Sequence, residues 1–178
     1  MRIRTYRSGD IPTLVQIQQT AARFDHLEPV NESDFAQLLA QSMKRSGYNV
    51  FLITDDDDEL NTWGQGETLE GLEGEVVGYT ILHVDKSPRA YHIHSYGAVL
   101  PEHRQRGAGY ALLLCALNHA RMQALNFMGE ARRQGLPIYF EVELPTHDLT
   151  TEPLARTFEL EETTEPAHTG MRVYRTAL

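Results

Sequence analysis

The chain has 178 residues, 41% of them hydrophobic, which suits one domain with a substantial core and leaves no run of about 18 apolar residues to span a membrane. Its formal net charge of −9 is carried by one segment: nine carboxylates and no Lys or Arg fall between Asp55 and Glu75, and the remaining 16 acidic residues are balanced by 16 basic ones. Without a basic stripe, nucleic acid and anionic membrane surfaces are poor partners, and a lone Cys115 with no signal-peptide core in MRIRTYRSGD points to a reducing, cytoplasmic setting.

Arg2 to Arg7 alternates and predicts a first strand. Asp10 and Pro12 predict the start of a helix whose apolar stripe is Ile11, Leu14 and Val15, with Gln18 on its edge. A second helix is expected from about Ser33 to Arg45, burying Phe35, Leu38, Leu39 and Met43 and ending at Gly47. Tyr48 to Thr54 is rich in β-branched and aromatic residues and predicts a strand. The segment from Asp55 to Gly74, with four aspartates, four glycines and Trp63, predicts an acidic loop inserted in the single domain.

Glu75 to Val84 predicts the next strand, and the loop makes the pair a long-armed hairpin. A turn at Asp85–Arg89 contains Pro88. Ala90 to Leu100 predicts a fourth strand, in which Gly97 reads as a bulge or as tight packing against a neighbour. A helix is expected from Gly107 to about Arg133, with Met128-Gly129 as a candidate break. Pro137 to Leu144 is strand, Thr146 to Thr157 a short helix, and Gly170 to Thr176 a last strand. This order predicts a mixed α/β sheet with helices on both faces, not a doubly wound parallel sheet.

The stretch VLPEHRQRGAGYALLL joins the fourth strand to the third helix without a Ser, Thr, Asp or Asn where a helix normally takes its cap. A helix start exposes N–H groups and carries positive dipole character. An anion can occupy it where no side chain does, and glycines admit close approach. Arg104 and Arg106 add fork-shaped cationic donors, and Tyr110 can flank a ligand. The other reading is a turn that only needs a positive φ at one glycine. Neither a Gly-Lys-Ser/Thr loop nor a complete Gly-x-Gly-x-x-Gly is present.

Arg104-x-x-Gly107-x-Gly109, preceded by Val99-Leu100-Pro101-Glu102-His103, resembles the acetyl-CoA signature of the GCN5-related N-acetyltransferases, and the element order from about Arg4 to Tyr174 matches that family's. The opening Arg4-x-Tyr6-Arg7-x-x-Asp10 is similar to its usual start. The resemblance implies the acyl-CoA N-acyltransferase fold: a mixed, mostly antiparallel sheet splayed at the fourth and fifth strands. It implies acetyl-CoA as co-substrate, without a metal. The pyrophosphate would sit on the amides of Gln105, Arg106, Gly107, Ala108, Gly109 and Tyr110, and the pantetheine would pair like an added strand with Ala98, Val99 and Leu100. The acceptor would be a small-molecule or protein amine. Homodimers are frequent in the family, so self-association stays an open expectation.

Direct acetyl transfer needs a base for the amine proton and a donor for the thioester oxygen, for which an N–H near Val99 is suited. His92 and His94 alternate on the fourth strand and share a face. They read either as a proton path of the kind some family members use or as two half-buried histidines paired with neighbours. A bulge at Gly97 would absorb the extra residue that separates them from Val99. Glu141 and Glu143 on the fifth strand also share a face, as an alternative base or an ordinary solvated edge. Many family members carry Asn-x-x-Ala-x-x-x-Tyr after the fifth strand, with Tyr as the acid; here Pro153 stands at the Tyr position, five before Phe158. Tyr174 and Tyr110 are the remaining tyrosines considered for that role. Cys115, among Leu114, Ala116 and Leu117, reads as packing rather than as a nucleophile. A silent acyl-CoA-binding module and a plain interaction domain are the alternatives to an enzyme.

Overall fold

A computed structural model describes residues 1–43, 49–55 and 74–178. Strand β1 (Arg2–Thr5) leads through a 3-10 turn to helices α1 (Ile11–Phe24) and α2 (Glu32–Met43). Strands β2 (Val50–Asp55), β3 (Glu75–Lys86) and β4 (Tyr91–Val99) follow, then α3 (Ala108–Gln134), β5 (Ile138–Pro145), α4 (Thr151–Thr157), β6 (Glu161–Glu162) and β7 (Met171–Ala177). The acidic loop, except Asp55 and Gly74, and the Gly47 helix stop lie outside the described residues.

The strands form one sheet in the order β1-β2-β3-β4-β5-β7-β6. Every pair is antiparallel except β4–β5, where Tyr91 to Ser95 run parallel to Ile138 to Val142. Helices α1 and α2 cover one face, packing Leu14, Ile17, Phe35 and Leu39 on Leu52, Tyr79 and Ile81. Helix α3 lies on the other face, with Leu113, Ala116, Leu117 and Ala120 against Leu82, Ile93 and Phe140. The alanines let the helix approach the sheet, and each large side chain fully removed from water contributes roughly 1.5–3 kcal/mol.

Several expectations are corrected. Gly97 is not at a bulge: β4 pairs with β3 without a register shift from Tyr91 to Val99. The glycine is needed because a Cβ there would lie 2.5 Å from the Tyr79 carbonyl oxygen. Met128-Gly129 does not break α3, which runs unbroken to Gln134 and ends at Gly135 with φ +65°. Asp10 stands at the start of α1 but does not cap it. Its carboxylate accepts from Arg4 at 2.8 and 2.7 Å and from the Arg7 N–H at 2.7 Å, which ties β1 to α1. The helix after β5 begins at Thr151 rather than Thr146, because Thr146 N–H and Oγ1 both bond the Gly170 carbonyl. The two-residue β6 had no signal of its own in the sequence.

Candidate active site

The fold places its candidate chemistry where β4 and β5 part. Their pairing stops at Ser95 and Val142, yet β4 continues to Val99 beside β3 and β5 to Pro145 beside β7. Backbone polarity along β4 alternates. The Tyr91 N–H bonds Pro137 on the β5 side, and the Leu100 N–H bonds Val77 on the β3 side, each at 2.9 Å. By that alternation the Gly97 and Val99 N–H groups point into the gap that β5 has left. This is the edge on which an extended ligand could pair.

At the end of the gap, Pro101–His103 makes a short 3-10 turn and the chain then reverses into α3. Gln105 has φ +60° and Gly107 φ +92°, with Arg106 between them at negative φ. Alternating hands turn successive N–H groups toward one concave side, the arrangement that receives anions. Gly107 is the N-cap of α3 and supplies no side-chain cap. The first intrahelical bond is Ala111 N–H to the Gly107 carbonyl, at 2.9 Å. Among the described residues no acceptor meets the N–H groups of Gln105 to Tyr110. Gly107 would meet nothing within 4 Å if it carried a Cβ, so its role is the left-handed φ and open space; Gly109 faces Leu154 of α4 at 3.9 Å. Arg106 is exposed and has no partner among the described residues.

Arg104 behaves differently from Arg106. Its guanidinium is held in a fork by Asp25, at the end of α1, with contacts of 2.6 and 2.7 Å. Nη1 also reaches Asp148, after β5, at 3.3 Å, and Nε donates to the Val99 carbonyl at 3.2 Å. The bond to Asp25 raises the Arg104 pKa against the opposing effect of burial. The structure therefore does not present this side chain as a free cation beside the amides.

The other end of the same region holds the histidines. His92, His94 and Tyr96 stand on the face of β4 that α1 and α2 cover only near Ala98, and they line an open cleft of about 250 Å³ with Glu141, Glu143 and Arg175. The His92 and His94 rings stack with centroids 5.7 Å apart, and His94 stacks on Tyr96 at 6.1 Å. Glu141 is 4% exposed. Its Oε1 receives His92 Nδ1 at 2.9 Å and Arg175 Nε at 2.6 Å, and its Oε2 faces His94 Nδ1 at 3.1 Å. Burial pushes the Glu141 pKa up, but the bonds from His92 and Arg175 and the neighbouring histidine charges outweigh it, and the group stays below its usual range. Burial lowers the His94 pKa, the nearby Glu141 opposes this, and His92 and His83 add to the lowering. An ionised Glu141 accepting from His92 fixes the proton of that ring on Nδ1, while the His94 ring lies beside Oε2 as a charge contact. Burial favours the neutral form of His94, which keeps a lone pair on one ring nitrogen to accept a proton.

His92, His94 and Glu141 also bring three ligand atoms within 4.8 Å of one another, close enough for a metal ion. Arg175 pairs with Glu141 and bonds Glu165 as well at 3.2 Å, so one guanidinium is shared by two carboxylates. Glu143 pairs with His168 at 2.7 Å, on the rim. Glu141 thus holds His92 and sets a negative charge beside His94, a role its spacing alone did not reveal. Tyr96 and Arg175 carried no motif and were missed; period-two alternation from His94 could have flagged Tyr96. Tyr174 is buried in the α3-side core, and the Tyr110 ring rests on Phe158 at 5.0 Å. Neither lines the cleft. Cys115 is half-buried in α3, where burial raises its pKa.

This architecture is that of N-acetyltransferases of known structure. The chain aligns over 100% of both chains with a ribosomal-protein-alanine N-acetyltransferase from Brucella melitensis, at TM-score 0.62 and 17% identity. It aligns over 99% of its length and 93% of the other with yncA from Salmonella typhimurium, solved with its cofactor acetyl-CoA, at TM-score 0.63 and 16% identity. The NatC complex bound to Gag peptide and CoA gives TM-score 0.63 at 11% identity, over 99% and 96% of the two chains. Among curated proteins no significant match is found. Residues 24–136 match the profile of the acetyltransferase (GNAT) family. The match covers more than half of the chain, which therefore belongs to that family of acetyltransferases. No helix among the described residues is long and apolar enough to cross a membrane.

Proposed function

We propose that the chain is a single-domain, acetyl-CoA-dependent N-acetyltransferase that moves the acetyl group to a primary amine of a small molecule or a protein by direct attack. The observation that carries this reading is the gap itself. Unpaired strand-edge amides at Gly97 and Val99 lie between an uncapped amide turn and a histidine beside a buried carboxylate. The turn fits the diphosphate of the coenzyme: the amides of Gln105 to Tyr110 and the Arg106 guanidinium receive its oxygens, and Ala98 to Leu100 offer the edge for pantetheine.

In this reading the Gly97 or Val99 N–H polarises the thioester oxygen and stabilises the charge that grows on it. His94, neutral at pH 7, takes the proton of the attacking amine, and Glu141 holds the resulting imidazolium. The β4 strand rises about 3.3 Å per residue, so His94 Cα lies about 10 Å along the strand from Gly97. No bulge shortens that path. Tyr96, on the same face between them, fills it, and its hydroxyl or one water carries the proton. Burial and the nearby Glu143 and Glu141 raise the Tyr96 pKa, so it stays protonated and can also donate toward the departing thiolate. It occupies functionally the place left by Pro153. The likeness to enzymes acting on a ribosomal protein and to one holding a peptide supports a protein amine among the acceptors.

Acetyl-CoA is expected to raise the melting temperature, and CoA release is expected with members of a panel of amines and N-terminal peptides. Absence of any binding refutes the reading. Tight binding with no turnover on any amine assigns the chain to a non-catalytic acyl-CoA-binding role instead.

A further inference from the structure

The Arg104 contacts raise a question of charge. An anion site gains from nearby cations, yet the side chain next to this turn faces two carboxylates, Asp25 and Asp148. One guanidinium against two carboxylates leaves the trio at a formal charge of −1. As a phosphate ligand that arrangement is poor. As a brace it is well made: the fork to Asp25 is bidentate, the two side chains are only 15% and 6% exposed, and the Nε bond to the Val99 carbonyl fixes where the guanidinium leaves the strand end.

The brace joins three separate elements. Arg104 lies in the turn, Asp25 at the end of α1, and Asp148 in the connection from β5 to α4. Asp25 is itself held, its N–H bonding the Ala21 carbonyl at 2.9 Å, and the guanidinium lies over the Phe24 ring at 5.3 Å. The Asp148 carboxylate is fixed by Thr150, through N–H at 2.9 Å and Oγ1 at 2.6 Å. The residue immediately after Arg104 is Gln105, with φ +60°. A non-glycine residue in that conformation costs about 1–3 kcal/mol and persists only where its surroundings hold it.

We propose that Arg104 is a positioning residue. Clamped by Asp25, it holds the amide turn in its left-handed form and couples that turn to the C-terminal end of α1, while the grip on the anion comes from the amides and Arg106. The inference rests on the acetyl-CoA reading above and specifies how that same site is kept in shape. It also means that occupancy of the coenzyme turn stiffens the end of α1 and the α1–α2 connection. This connection reaches the cleft-side strands, since Leu27 lies against Gly170 just before β7.

Two readings of Arg104 make opposite predictions for Asp25→Asn. If Arg104 ligates phosphate, removing its competitor frees the guanidinium, and acetyl-CoA binds as well or better. If Arg104 braces the turn, Asp25→Asn weakens binding because the guanidinium loses its bidentate anchor. Titration calorimetry with acetyl-CoA, well below each variant's melting temperature, is expected to give about a tenfold rise in Kd for Asp25→Asn and for Arg104→Ala, with the double variant no worse than either single one. Arg104→Lys, which keeps the charge but loses the fork, is expected to behave like Arg104→Ala.

Equal or tighter binding by Asp25→Asn, additive losses in the double variant, or full function in Arg104→Lys each overturns the proposal. Hydrogen exchange on the wild-type chain needs no variant to fold. On adding acetyl-CoA, amides 105–111 and also 22–27 should gain protection, and protection confined to the turn overturns the coupling. A wild-type chain that gives no binding heat refutes the acetyl-CoA reading, and this inference with it.

Discussion

Glu141→Gln tests the core of the proposed chemistry. The substitution keeps the shape and one oxygen but removes the charge. Arg175 and His92 both bond Oε1, so the amide oxygen stays on that side and the NH2 turns toward His94, whose Nδ1 faces Oε2 at 3.1 Å. The carboxylate charge that favours a protonated His94 is then gone, so the imidazolium formed on proton uptake loses its counter-ion. Losing general-base help typically costs about 10²–10⁴ in rate. We expect kcat/KM in an assay of CoA release to fall by about 10²-fold or more, because the proton acceptor has lost the charge that stabilises its protonated form. His94→Gln should fall equally, and the double variant no further. Stability also drops, since a 5%-exposed carboxylate is lost from beside a 21%-exposed guanidinium. Arg175 keeps Glu165, so the cost is set at about 2–3 kcal/mol, below the range for a fully orphaned buried charge; at 2–4 °C per kcal/mol for this size, that is about 4–12 °C in Tm. Activity within about threefold of wild type in a folded Glu141→Gln protein, with an unchanged pH profile, refutes the assignment of His94 as base.

Tyr96→Phe removes the hydroxyl between His94 and the gap, and kcat should fall about tenfold or more while the Kd for acetyl-CoA holds; an unchanged kcat removes Tyr96 from the proton path. Gly107→Ala places a Cβ at φ +92°, which costs about 1 kcal/mol in Tm-based stability and should loosen acetyl-CoA at the turn; wild-type binding would show that the left-handed residue is incidental. The folded-state pKa of His94 and of His119 is lowered by burial, so the unfolded chain binds those protons first. Stability should be full above the ordinary histidine value of 6.5 and fall as pH drops below it, and again as Glu141 and Asp10, both held below their usual range, take up protons. Urea titrations from pH 8 to 4 check this, and a His94→Gln chain should lose less between pH 7 and 5. Chelation with EDTA is expected to leave turnover unchanged, because the proposed transfer routes no step through a metal; loss of activity restored by a divalent cation would assign the cluster to a metal.

Much of this was legible because its causes are local. The strands around Phe51, Val77 and Ile93 and the stripes of α1 and α2 follow from side-chain period, and the turn from the glycine and arginine spacing that its backbone geometry demands. What stayed hidden depends on partners distant in sequence. Asp25 and Arg104 are 79 residues apart, and nothing local tells that the guanidinium turns back to α1 instead of toward the amides. Glu141 read as one of two alternating carboxylates until the parallel register set it beside His94. Gly97 offered bulge or close approach, and only the neighbouring Tyr79 carbonyl decides between them.

The geometry of β4 also constrains the direction of attack. In a strand the N–H groups lie in the plane of the sheet, whereas the side chains stand perpendicular to it. A thioester laid along the gap, with its oxygen on the Gly97 or Val99 N–H, has its carbonyl plane near that of the sheet. A nucleophile approaches a carbonyl from above or below its plane, hence along the side-chain direction. On the α3 side that approach meets buried Ala108 and Leu112, which pack beside Val99. On the other side it passes His94 and Tyr96 in the open cleft. Donor and acceptor therefore need not compete for one entrance: the strand's backbone serves one and its even-numbered side chains the other. Deleting Ser95 would keep every one of these groups in the chain but turn the histidines into the α3 core, and it should abolish turnover more completely than either histidine substitution.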